Sequence, residues 1–186
     1  AATYPNPVVI PSVGEASGGF SRLPVLSCPV ACCPLPLAPM TSLSRPLIIG
    51  VSGASGLIYA VRTLKYLLTA NYSVELVASK ASYRVWQAEN TIKMPADPQQ
   101  QEQFWRQQAG VESGGHLRCH PASDVGANIA SGSFRTLGML VIPCSMSTVA
   151  KLAQGLSSDL LERAADVQIK EGRKLIVVPR ETPLSL

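Results

Sequence analysis

LIIGVSGASGLIYAVRTLKYLL, residues 47–68, decides the architecture. Leu47 to Val51 form an unbroken apolar run, the pattern of a strand covered on both faces. Gly50-x-Ser52-Gly53-Ala54-Ser55-Gly56 then turns the chain. From Gly56 to Leu68 the period changes, and Leu57, Val61, Leu64 and Leu68 recur along one side of a helix. A buried strand, a glycine-rich turn and an amphipathic helix make up the first half of a βαβ unit.

The same alternation continues downstream. Val74 to Ala78 reads as a strand, followed by a helix through about Glu89. A polar helix over about Pro98 to Gln108 is anchored by Phe104 and Trp105. A short strand at Leu117 to His120 and a short helix at Ala122 to Ala130 follow. Met139 to Ile142 is a strand, Ser145 to Gln154 and Leu160 to Lys170 are helices, and Leu175 to Val178 is the last strand. This order predicts an α/β fold: a doubly wound, Rossmann-like parallel sheet with helices on both faces and right-handed crossovers. Residues 1–45 differ, being rich in Pro, Ser, Ala and Cys and nearly free of charge. They read as a disordered or non-native N-terminal extension, translated upstream of a start at Met40, leaving one domain over 46–186.

Composition narrows the function. The hydrophobic fraction of 46% suffices for a packed core, and the net charge of +4 is mild. No basic run stands out and aromatics are 5%, which argues against a nucleic-acid groove. The longest apolar runs are too short to span a bilayer. The cysteines, Cys28, Cys32, Cys33, Cys119 and Cys144, are odd in number and lack paired zinc spacing, so reduced thiols in a cytoplasmic protein are expected. His116 and His120 flank Cys119, but no carboxylate set lies near them in sequence; surface or half-buried imidazoles are expected, not a metal site.

In a doubly wound sheet, ligands bind beyond the carboxyl ends of the strands. Four exits are small, hydroxylated or charged: Ser52 to Gly56, Ser79-Lys80, Pro143 to Thr148, and Pro179-Arg180-Glu181. The first turn suits an anion, because glycine permits close approach and the helix start offers free N–H groups. Its glycine spacing is not the dinucleotide fingerprint, and no P-loop lysine follows. An ordinary helix start capped by Ser55 fits as well. Cys144-Ser145-Met146-Ser147-Thr148 reads equally as a phosphate or polyol cradle or as a capped helix. Cys144, at the end of an apolar strand, is read as inert. Ala130 to Phe134 is a polar loop that either turns the chain or touches a ligand. Arg163, Asp166 and Lys170 share one helix face, as a solvated ion-pair face or as a phosphate clamp. Arg180 and Glu181 point to opposite sides, so one can hold an anion while the other moves protons. Glu89 is a second carboxylate candidate.

Four strings carry a resemblance: GVSGASGLIYAVR, ASKAS, SDVGANIASGSFRTLGMLVIPCSMSTVAKLAQG and LLERAADVQIKEGRKLIVVPRETPL. Over about residues 46–186 the chain resembles the flavin prenyltransferases, the UbiX-type family. The resemblance implies that reduced FMN is joined to the dimethylallyl group of dimethylallyl phosphate at flavin N5 and C6. The prenylated flavin would serve a UbiD-type decarboxylase, and no metal would be needed. It implies that Gly53, Ala54, Ser55, Ser79, Ser145, Met146, Ser147, Thr148 and Arg180 contact FMN. It also implies that Arg163 and Lys170 hold the substrate phosphate, that Ser55, Glu89 and Glu181 are catalytic, and that the protein is a homo-oligomer. Two departures stand out. The chain stops at Leu186, before the family's last strand and helices, so a partial sequence is expected. Lys170-Glu171-Gly172-Arg173 also replaces a KERR-like string, with Gly172 read as a helix C-cap. Two other readings are a flavoprotein decarboxylase of the phosphopantothenoylcysteine type and a non-catalytic FMN-binding subunit.

Overall fold

A computed structural model describes residues 45–183. The expected extension over 1–45 lies almost wholly outside them. Five parallel strands are ordered β3-β2-β1-β4-β5. They are β1 (Leu47–Val51), β2 (Val74–Ala78), β3 (Leu117–Pro121), β4 (Gly138–Cys144) and β5 (Leu175–Pro179). The helices are α1 (Ile58–Thr69), α2 (Lys80–Glu89), α3 (Pro98–Ala109), α4 (Met146–Ala153) and α5 (Leu160–Lys170). The order reverses between β1 and β4, which places the topological switch point at their exits.

Alternation of side chains about β1 divides the core in two. Ile49, Val51 and Leu76 pack with Leu64 and Leu68 of α1 and with Phe104 and Trp105 of α3. Ile48, Val77, Met139 and Val141 pack on the other face with Leu161, Ala164 and Ala165 of α5. Each fully buried Ile or Leu contributes about 1.5–3 kcal/mol of transfer free energy, so these two layers hold the strand exits in place. Trp105, fully buried, meets Trp86 and Phe104 edge to face at 5.8 Å in both cases, confirming the aromatic anchor of the polar helix.

Three expectations are corrected. Ala122 to Ala130 is not a helix; only Asn128–Ala130 forms a single 3-10 turn, because separate turns from Pro121 to Asp124 and from Asp124 to Ala127, the second containing Gly126, break the run. β4 continues through Pro143 to Cys144, since this strand exit bonds to β1 and β5 through its carbonyls and the missing proline N–H is no loss. His120 is not near the surface. It is buried, with Nε2 2.6 Å from Oε2 of the equally buried Glu75, a partner 45 positions away that only the sheet brings into reach. Gly172 does end α5 as expected, with φ +62° directly after Glu171.

Candidate functional site

The exits of β1 and β4 are bonded to each other. The fully buried Ser52 donates from Oγ to the carbonyl of Pro143 at 3.0 Å and accepts from the Ser145 N–H at 2.7 Å. On one side Ser79 donates its N–H to the Val51 carbonyl at 2.9 Å; on the other Arg180 donates its N–H to the Cys144 carbonyl at 2.9 Å. The exits of β2, β1, β4 and β5 therefore form one continuous rim. Sequence reasoning placed Ser52 at an exit but gave it no role, because nothing local marks a serine whose partners lie 91 and 93 positions away.

A cleft of about 640 Å³ opens along this rim, lined by Gly53, Ser79, Ser145, Ser147 and Thr148. Lys80 of the second exit, with Lys151, Ser158, Asp159 and Glu162, which sequence reasoning did not single out, completes its wall. Gly53 is needed for proximity: a Cβ there would lie 2.3 Å from that of Ala81 in the first turn of α2. Ser79 caps α2 by accepting the Ser82 N–H at 3.3 Å, and Ser145 caps α4 by accepting the Thr148 N–H at 3.3 Å. The remaining first-turn N–H groups of both helices have no intrahelical partner. Hydroxyls, free N–H groups and a backbone without a side chain at Gly53 suit a phosphate joined to a polyol chain. The capping reading of Ser145 holds, and the same serine faces the cleft. Ala54 is buried behind this surface, and neither it nor Met146 lines the cleft.

Ser55 departs from the capping role weighed for it. Leu57 is the N-cap of α1 and makes no side-chain cap bond, while Ser55 Oγ donates to Oε1 of Glu89 at 2.6 Å. The Gly56 N–H donates to the same oxygen at 2.9 Å. Partial burial raises the pKa of Glu89, but the bonds from Ser55, Gly56 and Leu57 and the nearby Arg180 charge outweigh it and hold the carboxyl below its ordinary value. Ser55 and Glu89 therefore form one corner of the rim, bonded to each other. Arg180 and the exposed Glu181 follow β5 directly and do not line the cleft.

Arg163 and Lys170 are not brought into the cleft. Both lie on the outer face of α5 and pair with Oδ2 of Asp166, at 3.4 and 2.7 Å. The polar loop Ala130 to Phe134 also stays outside it; the carbonyls of Gly132 and Phe134 accept from Arg173, so the loop turns the chain onto the end of α5. Burial pushes the Cys144 thiol up to about 11, which keeps it protonated at neutral pH and fits its inert reading. Among the described residues, no group of three or more His, Cys, Asp or Glu could hold a metal, and no helix is long and apolar enough to cross a membrane.

Comparison with known proteins identifies the family. The Flavoprotein family model matches residues 38–183. The flavin prenyltransferase UbiX of Synechocystis sp. is 72% identical over 144 residues, which cover 77% of this chain and 70% of that protein. The crystal structure of AnUbiX (PadA1) in complex with FMN and dimethylallyl pyrophosphate superposes with a TM-score of 0.64 at 34% identity, covering 77% of this chain and 68% of the other. A dodecameric FMN-dependent UbiX-like decarboxylase from Escherichia coli O157:H7 gives 0.59 at 37% identity, covering 75% and 69%. This chain is a member of the flavoprotein family and, within it, of the UbiX-type flavin prenyltransferases.

Proposed function

We propose that the protein transfers the dimethylallyl group of dimethylallyl phosphate to N5 and C6 of reduced FMN, making a prenylated flavin for a UbiD-type decarboxylase. The observation that carries this reading is the single rim that joins Ser79, Ser52, Ser145 and Arg180, in a chain 72% identical to a UbiX prenyltransferase. Reduced FMN is itself the acceptor and supplies the two nucleophilic positions.

The residues divide the remaining work. Gly53, Ser79, Ser145, Ser147 and Thr148 hold the phosphate and ribityl chain; Arg180 and the Ser55 corner bound the ring. Ser55 Oγ donates to Glu89 at 2.6 Å, which leaves the lone pairs of Oγ to accept a hydrogen bond from a ring N–H. The substrate loses a phosphate as the first bond forms, so fixed cations favour the departing charge; Arg163 and Lys170 are the candidates. Closing the second bond requires an alkene to gain a proton and the ring to lose one. Glu181, beside Arg180 at the β5 exit, is the carboxylate assigned to that exchange. Arg163 and Lys170 lie outside the cleft of this chain, and that supports a site completed by a neighbouring copy in a homo-oligomer.

Incubation with reduced FMN and dimethylallyl phosphate, followed by mass spectrometry, tests the proposal. A flavin heavier by one prenyl unit is expected. Unchanged flavin, with carbon dioxide released from a peptidyl-cysteine substrate, would replace the reading with a decarboxylase. FMN bound without turnover would leave a cofactor-binding subunit.

A further inference from the structure

Three helix N-termini open into the cleft, two with neutral caps and one with an acidic cap. Ser79 and Ser145, both neutral, cap α2 and α4, and neither helix has an acid in its first turn. α5 is capped by Asp159 and carries Glu162 in its first turn. Glu162 is 3% exposed, yet its carboxylate is fully engaged. It accepts from Lys151 Nζ at 2.7 Å and from both the N–H and Oγ of Ser158 at 2.6 Å. Ser158 Oγ also takes Lys151 Nζ, at 2.8 Å.

Lys151 stands one turn beyond Ser147 and Thr148 on the same face of α4, so it rises over the N–H groups that open into the cleft. An exposed lysine paired with an exposed acid wanders and contributes little. Here the acid is buried and immobile, and it holds a lysine that keeps 38% of its side chain exposed. An ammonium has three donors, and two are used. The third is free for a ligand. Asp159 at the α5 cap repels an anion, so a phosphate entering the cleft is directed to the α4 side, where Lys151 stands.

We infer that Lys151, positioned by Glu162, is a further cofactor-binding residue of this site: it donates to the FMN phosphate and so selects the phosphorylated flavin over riboflavin. This rests on the FMN reading above and adds to it a residue that recognises the phosphate by charge. Lys151→Met removes the charge and keeps most of the packing. Titrations of FMN and of riboflavin, followed by flavin fluorescence at two salt concentrations, test the assignment, with thermal melting as the check on folding. Lys151→Met is expected to weaken FMN about tenfold, to leave riboflavin within about twofold, and to flatten the salt dependence of FMN binding. Lys151→Arg is expected to restore most of the loss. If FMN and riboflavin weaken together, or neither changes, Lys151 is only a tie between α4 and α5 and the inference is overturned. If the unaltered protein binds riboflavin as well as FMN, phosphate selection is absent and the inference is likewise overturned. Failure of the unaltered protein to bind either flavin removes the FMN reading itself, and the lysine assignment with it.

Discussion

The rim of the sheet and the outer face of α5 both carry candidate ligand groups, yet they are built differently. At the rim, polar groups are fixed by partners far away in sequence: Ser52 to Pro143 and Ser145, Ser79 to Val51, Ser55 to Glu89. On α5, the side chains of Arg163 and Lys170 pair with Asp166 of the same helix. The rim is organised in advance for a ligand, because its geometry is enforced by the core beneath it. The α5 face is a set of exposed charges that anything facing it can redirect. Under the proposed reading, the flavin half of the site is present in one chain, and the phosphate-leaving half would take its order from a neighbouring copy.

Substitutions can break or sharpen that contrast. The largest effect is expected at Gly53→Ala. The new Cβ would meet that of Ala81 at 2.3 Å, so the start of α2 must shift, at a cost of about 1–3 kcal/mol. Flavin titration is expected to show binding weakened more than tenfold, and unchanged binding would show that the α2 terminus is not part of the cradle. Ser52→Ala comes next. It leaves the Ser145 N–H without its buried partner, so urea unfolding is expected to show a loss of about 1–3 kcal/mol, together with looser FMN binding.

Acid should act on the two carboxylates that bind across elements. Burial raises the pKa of Glu162, but the bonds from Lys151 and Ser158 outweigh it, so the folded value lies below the ordinary 4.5, as for Glu89. Such groups stabilise the fold fully above the unfolded value, and the contribution is lost as pH falls through the folded one. Asp159 has the opposite sign. Burial lifts its folded pKa above 3.8, so its ionisation opposes folding as pH rises through that window. Urea midpoints between pH 7 and pH 3 are expected to fall, and Glu162→Gln to flatten the fall; an unflattened profile would detach Glu162 from acid sensitivity.

The smallest stability effects belong to α5. Arg163→Ala and Lys170→Ala remove exposed intrahelical pairs, and the expected loss is about 0.5 kcal/mol or less in chemical denaturation. Prenyl transfer, measured on the same proteins, is expected to fall tenfold or more. Unchanged turnover would reduce this face to solvated charge.

The fold was legible where the period was strong. The apolar run at Leu47 to Val51 and the helical spacing from Leu57 to Leu68 each appear as read, because burial on two faces and on one face leave different patterns. Ala122 to Ala130 misled, since small residues fit a helix by composition although its bends and Gly126 stop one forming. In the site, the exits were visible as clusters of glycine and hydroxyl residues. Ser52, Lys151 and Glu162 were not. A buried serine and an i, i+11 ion pair leave no periodic trace, and their importance arises only when separate elements meet.

By itself the sequence determined the parallel α/β layering, the chemistry available at each strand exit and the family, since all three reside in local pattern and ordered motif. Tertiary structure alone decided which exits touch. It turned Ser55 from a helix cap into a partner of Glu89, buried His120 against Glu75, and brought two neutral helix starts and one acidic one to the same cleft. The physical reason is range. Side-chain periodicity records what a residue buries, whereas a hydrogen bond records where two distant segments end, and the sheet order sets that only once the chain has folded.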